Sequence, residues 1–448
     1  MCRFFVPFAL ALTAFAGSHA LAQPQGMGTT APMAPPPGGS LPLSAPLAPP
    51  VAPGSVALPP LTLAGAIRTA LDNNPEIQVA RREIEAAQGE RIQAGVLPNP
   101  TLTAQMEDPR RDSRTNTVLL SQPFELGGQR AARIVAAERA LDVARVQLEA
   151  RQVALRASVT AAFFVTLTTQ DRVALAQSSL ELAARGSLAA SNRVRAGKVS
   201  PLEETRARVA EAGVRLELVQ AQGELQTQRQ QLGTLLGRPA LDQTLDGNAL
   251  TMPGLPSVQD VEARLPGAPA TREAQLQVQR FAALANVERA RRIPDITVTA
   301  GGQRDQTLGR NQAIVGISVP LPIFDTNRGN IAAAISRRYQ AEDQAAATAL
   351  QLRSDAATAR QRYASALAEV DTLQRDILPG ALTAFNAATT GFELGKFAFL
   401  DVLDAQRTLL LARAQYLRAL AEAHRAVTDI DRLLGDPALS SGLSLSNP

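Results

Sequence analysis

The chain has 448 residues with a formal charge of +4, and Lys198 and Lys396 are its only lysines among 45 basic side chains. Hydrophobic residues make up 45% and aromatics only 4%, with no Trp, which suits Ala-rich helices better than a β-sandwich enzyme. Its one cysteine is Cys2 and its two histidines are His19 and His424, so a Cys/His zinc site, a disulfide framework and a thiol nucleophile are excluded.

The N-terminus reads as an address. Arg3 supplies a positive start, Phe4 to Ala16 is an apolar run, and Ala20-Leu21-Ala22 is a small-x-small cleavage site. Residues 1–22 are therefore expected to be a secretory signal peptide, too short for a membrane span, with the mature chain starting at Gln23. Cys2 precedes the apolar run, where it is not placed for lipoprotein acylation. Residues 23–60 carry 12 Pro and no charge, the composition of a linker.

Beyond the linker the chain is duplicated, with an offset of about 200 residues between equivalent segments. Leu97-Pro98-Asn99-Pro100-Thr101-Leu102-Thr103-Ala104 matches Ile293-Pro294-Asp295-Ile296-Thr297-Val298-Thr299-Ala300. Ser121-Gln122-Pro123 matches Ser318-Val319-Pro320, Arg130 matches Arg328, and Gly197-Lys198 matches Gly395-Lys396. Leu235-Leu236-Gly237 matches Leu433-Leu434-Gly435. These anchors place a first repeat at 61–240, a connection at 241–270, a second repeat at 271–437 and a tail at 438–448.

Each repeat is expected to hold a helix (Pro75 to Gly95 in the first), two short strands, a very long helix, a Gly turn and a returning helix. Ile134, Leu141, Leu148 and Leu155 recur at the coiled-coil period, as do Leu403, Leu410 and Leu417. From Arg130 to Arg195 there is no Pro, and helix rise gives roughly 100 Å. The returning helix covers about 55 Å and the entry helix about 30 Å, so two short helices stacked end to end match one long one. The expectation is a tall array of antiparallel helices.

The strands alternate. Leu102, Ala104 and Met106 share one face, with Thr101, Thr103 and Gln105 on the other. Ile296 to Gly301 repeats the pattern, and Ala313, Val315, Ile317 and Val319 share a face; Thr115 to Gln122 is less regular at Val118-Leu119-Leu120. Each run has about the length of a tilted outer-membrane strand. A soluble hairpin packed on helices has the same pattern. If the strands span a membrane, four per chain cannot close a barrel, so chains must combine, and three would give twelve strands.

Charges alternate in sign along the helices, as on a solvated face, so nucleic acid is not an expected partner. The Gly-Lys pairs lack the preceding Gly and following Ser or Thr of a phosphate loop, leaving a helix-hairpin turn as their reading. His424 lies mid-helix and reads as a packed or solvated helix residue. No catalytic grouping or cofactor motif is found, so no enzyme activity and no cofactor are expected.

In this combination the chain resembles the TolC family of outer-membrane efflux proteins over residues 60–437. Gln122-Pro123-Phe124-Glu125-Leu126-Gly127-Gly128-Gln129-Arg130 resembles the heavy-metal (cobalt–zinc–cadmium) branch of RND-type systems. The resemblance implies a homotrimer with a twelve-stranded outer-membrane barrel and a periplasmic α-barrel, fed by an inner-membrane RND pump through a periplasmic adaptor. Phe392 to Arg407 is similar to the family's periplasmic tunnel tip, which puts Asp401 and Asp404 at the constricted entrance; Glu203 matches Asp401 in the first repeat, but Arg206 stands where Asp404 does. The turns at Gly197, Lys198, Gly395 and Lys396 are then expected to meet the adaptor. A duct for drugs or secreted polypeptides, and a periplasmic coiled-coil adaptor, are the alternative readings.

Overall fold

The computed structural model describes residues 59–108, 110, 112–239, 241–394, 396–397 and 399–435. The expected signal peptide, nearly all of the linker and the C-terminal tail lie outside the described residues. Two entry helices, α1 (Leu63–Asn73) and α2 (Pro75–Ala94), lead to β1 (Thr101–Glu107) and β2 (Thr115–Phe124). Helix α3 (Gln129–Arg195) then runs 67 residues without a break, about 100 Å of rise, and α4 (Pro201–Leu235) returns along it. After a short helix α5 (Val258–Arg264), the second repeat places α6 (Pro269–Ala290), β3 (Ile296–Asp305), β4 (Arg310–Ser318), α7 (Arg328–Thr372), α8 (Leu378–Glu393) and α9 (Phe399–Leu434).

The sequence sets the helix starts chemically. Asn74 caps α2 by accepting from the Glu76 N–H at 2.8 Å, and Pro75 fills the first helical position, where no N–H is needed. Ser200 and Pro201 repeat the device at α4. Asn74 also donates its side-chain amide to the Leu235 carbonyl at 3.0 Å, joining the start of α2 to the end of α4. A Cβ at Gly237 (φ 72°) would stand 2.6 Å from the Asn73 carbonyl oxygen, and one at Gly435 (φ 77°) would stand 2.5 Å from Pro269 Cδ. Glycine at these two positions lets each returning helix abut the entry helix of its own repeat. The end-to-end stacking expected from helix lengths is thus present in both repeats.

The second long helix differs from the expected uninterrupted rod. Between α7 and α8 the residues Leu373–Ile377 form a π-turn, and Leu378 donates to the Leu373 carbonyl. Pro379 follows at once; it lacks an N–H and would press its ring on the carbonyl four residues back, and the wider turn accommodates both defects. The heptad stripe also shifts. In α9 Val402, Leu409, Ala423 and Ile430 are among the buried side chains, one register position from the expected Leu403 and Leu410, which are half-buried, while Leu417 of the expected stripe packs against the second core.

Two cores serve the two repeats. Phe163, Phe164 and Val159 of α3 pack with Leu232, Ala70 and Ile77 in the first. Tyr363 and Leu373 pack with Leu420, Val427 and Ile430 in the second. Fully burying each of the Phe, Leu, Ile and Val side chains contributes roughly 1.5–3 kcal/mol. Tyr363 donates its hydroxyl to the Pro253 carbonyl, and Arg360 donates to Pro256 at 2.9 Å, so the connection is clasped to α7. His424 bridges the repeats: its ring is fully buried, stacks on Phe164 with centroids 3.6 Å apart, and places Nε2 2.8 Å from the Ala249 carbonyl oxygen.

Candidate functional site: a two-faced sheet and paired hairpin tips

The four strands form one antiparallel sheet in the order β1-β2-β3-β4, leaving β1 and β4 as its edges within one chain. Residues paired across strands lie on the same face. Leu102 faces Leu120, Ala104 faces Val118, Val298 faces Ile317, and Ala300 faces both Leu120 and Val315. The opposite face pairs Thr103 with Leu119, Ser121 with Thr299, and Gln303 with Gln312. Ser121 and Thr299 share a hydroxyl–hydroxyl hydrogen bond of 3.0 Å there. The irregular Leu119 sits on this polar face opposite Gly301, where no side chain competes with it. A soluble hairpin would bury its apolar face on helices, yet Leu102 is 70% exposed and Val315 79% exposed. Among the described residues no helix is long and apolar enough to cross a membrane.

The segment from Gln122 to Arg130 forms the junction between this sheet and the helices. Gln122 donates to the Pro98 carbonyl at 3.0 Å. Glu125 and Arg133 form a two-pronged ion pair, with Arg133 Nη2 2.9 Å from Oε2. The Gln129 amide reaches the Ile293 carbonyl at 2.9 Å and the Asp295 carboxylate at 2.8 Å, and Arg130 Nε donates to the Gly95 carbonyl at 2.7 Å. Gln122, Gln129 and Arg130 each satisfy a group on a neighbouring connection and Glu125 ties the segment to α3, so the motif fixes where the helices leave the sheet.

The far ends of the hairpins lie together. Lys198 donates its N–H to the Arg193 carbonyl at 2.9 Å and Gly197 to Val194 at 2.9 Å, a Schellman stop with Gly197 at φ 69°. Lys396 closes the other hairpin in the same way on the Gly391 carbonyl at 2.8 Å. Gly197, Lys198 and Lys396 are exposed, whereas Gly395 lies outside the described residues. The guanidinium of Arg193 stacks over the Phe392 ring at 4.1 Å, and Ala190 and Ala207 pack with Phe392 and Leu403. Sequence reading missed this bond between the tips, because Arg193 and Phe392 carry no pairing signal along the chain.

Of the expected entrance residues, Asp401 lies exposed in the first turn of α9 and Glu203 half-buried in the first turn of α4. Both positions favour carboxylates through the helix dipole alone. Asp404 is exposed and lines a groove of about 700 Å³ between the hairpins, together with Arg185, Arg206 and Arg407. Within one chain the charge beside Asp404 is therefore mixed. Among the described residues, no group of three or more His, Cys, Asp or Glu side chains is placed to hold a metal ion.

The family model for the outer membrane efflux protein matches residues 66–238 and 262–436. The chain is 43% identical over 377 residues to the cobalt-zinc-cadmium resistance protein CzcC of Cupriavidus metallidurans, covering 84% of this chain and 90% of that protein. It is 29% identical over 303 residues to the nickel-cobalt-cadmium resistance protein NccC of Alcaligenes xylosoxydans xylosoxydans, covering 66% of this chain and 68% of that one. The fold superposes on the open state of the Neisseria gonorrhoeae MtrE outer membrane channel with a TM-score of 0.71 at 21% identity, covering 84% of this chain and 89% of that one. A repeated helical hairpin carrying two strands, a sheet with an exposed apolar face, and a family match over both halves lead to one conclusion: the chain belongs to the outer membrane efflux protein family.

Proposed function

We propose that this outer-membrane efflux protein is the exit duct of a tripartite system that carries heavy-metal cations out of a Gram-negative cell. It works as a homotrimer, whose twelve strands close a barrel in lipid, and it receives substrate from an inner-membrane RND pump through a periplasmic adaptor. The observation that carries the duct is the two-faced sheet. Its apolar side suits lipid and its polar side suits a water-filled passage, while its open edges require further strands before lipid can surround it. The metal class rests on the relatives whose names record cobalt, zinc, cadmium and nickel resistance. The channel acts passively.

In this reading Asp401 and Asp404, with Glu203, form the periplasmic entrance, and threefold repetition would ring the axis with carboxylates that favour cations. Gly197, Lys198, Gly395 and Lys396 meet the adaptor: Gly197, Lys198 and Lys396 are exposed turn residues about 100 Å of helix from the sheet, with no core to serve. A strain lacking this chain, grown in graded Zn2+, Co2+ and Cd2+, tests the assignment. Metal tolerance should fall and return with the gene. Unchanged metal tolerance with lost drug tolerance would turn the assignment to a drug duct.

A further inference from the structure

The apolar face of the sheet changes character at the end remote from the helices. Residues two apart along a strand share a face, so the cross-strand pairings define rows about 6.8 Å apart. On the apolar face Leu120, Ala300 and Val315 form one row, and Val118, Gly302 and Ala313 form the next. One row further out, beside the hairpin loops, Arg304 stands between Asn116 and Asn311 and is exposed. Arg114 is its diagonal neighbour on that face. The pairing continues one step past β2, with Gln306 donating its N–H to the Arg114 carbonyl at 3.1 Å, and diagonal positions lie within reach of long side chains. Arg114 Nε is buried without a hydrogen-bond partner.

The carboxylates at this level are placed elsewhere. Glu107 and Asp305 share a row with Thr115 and Arg310 on the opposite, polar face. Asp305 accepts from the Thr307 and Leu308 N–H groups at 2.8 and 3.1 Å. Asp108 accepts from Ser113 Oγ at 2.6 Å and from the Arg110 N–H at 3.2 Å. Among the described residues neither Arg114 nor Arg304 takes part in an ion pair. The outer rim of the apolar face is therefore cationic, with two neighbouring amides that can donate hydrogen bonds.

We infer that Arg304, together with Arg114, holds the phosphate of an outer-leaflet lipid whose acyl chains lie on the apolar rows beneath it. The inference rests on the membrane-spanning duct proposed above and adds a lipid partner to it. In that reading the hairpin tips point into the periplasm, so the opposite end of the sheet meets the outer leaflet. Guanidinium groups bind phosphate through paired N–H donors, and basic side chains beside an apolar surface recognise anionic headgroups. The occupant is an amphiphile because the wall one row from Arg304 is apolar: Val118, Ala313 and Val315 offer nothing to a free anion and suit a hydrocarbon chain. Charge is thus sorted by face, with cations towards lipid and both Glu107 and Asp305 towards the passage.

The test uses the full-length protein purified in detergent, with diphosphoryl lipid A as the probe and bound lipid counted by native mass spectrometry. Arg304→Gln with Arg114→Gln should weaken binding at least about fivefold, and Arg304→Lys should retain most of it. Arg310→Gln, on the polar face, should bind as wild type does, and lipid A stripped of its phosphates should bind wild type as weakly as the intact lipid binds the double variant. Equal binding by wild type and the double variant, or an equal loss in Arg310→Gln, overturns the inference. Displacement of the lipid by inorganic phosphate at matched concentration also overturns it and leaves a free-anion site. The chain contains no Trp, so Val315→Trp reports separately on the duct in vesicles of brominated phosphatidylcholine. Quenched fluorescence beside unchanged lipid A binding in the double variant sinks the lipid site alone, whereas unquenched fluorescence sinks the lipid-facing sheet and the site with it.

Discussion

His424 links the two repeats and carries a prediction about pH. Burial pushes its imidazole down from 6.5 to about 4, opposed only partly by the hydrogen bond to Ala249. Nδ1 is buried without a hydrogen-bond partner, and Nε2 meets a carbonyl, so the neutral ring donates from Nε2. In the unfolded chain the ring takes a proton below 6.5; in the folded chain it does so only below about 4. The unfolded state therefore binds more protons between these values, and stability must fall as pH drops through that window. The full loss is roughly 3 kcal/mol, complete near pH 4 and absent above about pH 7. His424→Gln keeps a donor for the Ala249 carbonyl and removes the titration. It should cost about 1 kcal/mol at pH 8 through the lost ring stack. The assay is denaturant unfolding of the detergent-solubilised protein from pH 8 to pH 4, read as the difference between wild type and variant, which cancels carboxylates common to both. That difference should shrink and reverse as pH falls. A difference that stays constant would show that the ring is not held neutral by burial.

Four further outcomes follow from named contacts. Asn74→Ala removes the cap of α2 and the partner of the Leu235 carbonyl, and should lower unfolding free energy by about 1–2 kcal/mol; no change would mean that the α2–α4 junction is held by packing alone. Gly237→Val forces a β-branched side chain to φ 72° against the Asn73 carbonyl and should cost of order 1–3 kcal/mol, seen as a lower unfolding midpoint. Asp401→Ala with Asp404→Ala should raise single-channel conductance in planar bilayers and weaken block by divalent cations, with little change in trimer stability; unchanged conductance and block would favour a solvated face with Arg407 as the partner of Asp404. Lys198→Cys and Lys396→Cys, derivatised with a cross-linker, should capture the periplasmic adaptor, and capture only from the Glu107–Arg114 loop would invert the orientation.

The tandem repeat was legible because its anchors are glycines, prolines and strand alternations, which act locally. Ile296 to Gly301 and Gln312 to Val319 read as strands from their period; β3 covers the first and β4, which ends at Ser318, all but the last residue of the second. The length of α3 was equally plain, since it contains no Pro. The stripe in α9 was read too narrowly, because that helix is rich in alanine and has several packing partners, so it buries adjacent rows as well. Leu403 and Leu410 line the groove beside Asp404, and Leu403 also packs against Ala190 and Ala207. The π-turn before Pro379 and the stack of Phe164 on His424 depend on distant partners, and neither leaves a periodic trace. At the tips, the turn glycines were visible, whereas the cation–π bond between Arg193 and Phe392 was not.

The unpaired edges of the sheet have a genetic consequence. A head-to-tail contact uses two different surfaces of every copy, so in the proposed ring of three each seam needs a sound β4 and a sound β1. A cell expressing equal amounts of normal and edge-defective chains would assemble fully normal rings only about one time in eight. Alleles that damage Ser318 or its neighbours along β4 should therefore be dominant over the normal gene, whereas alleles that abolish folding, and so never enter a ring, should be recessive.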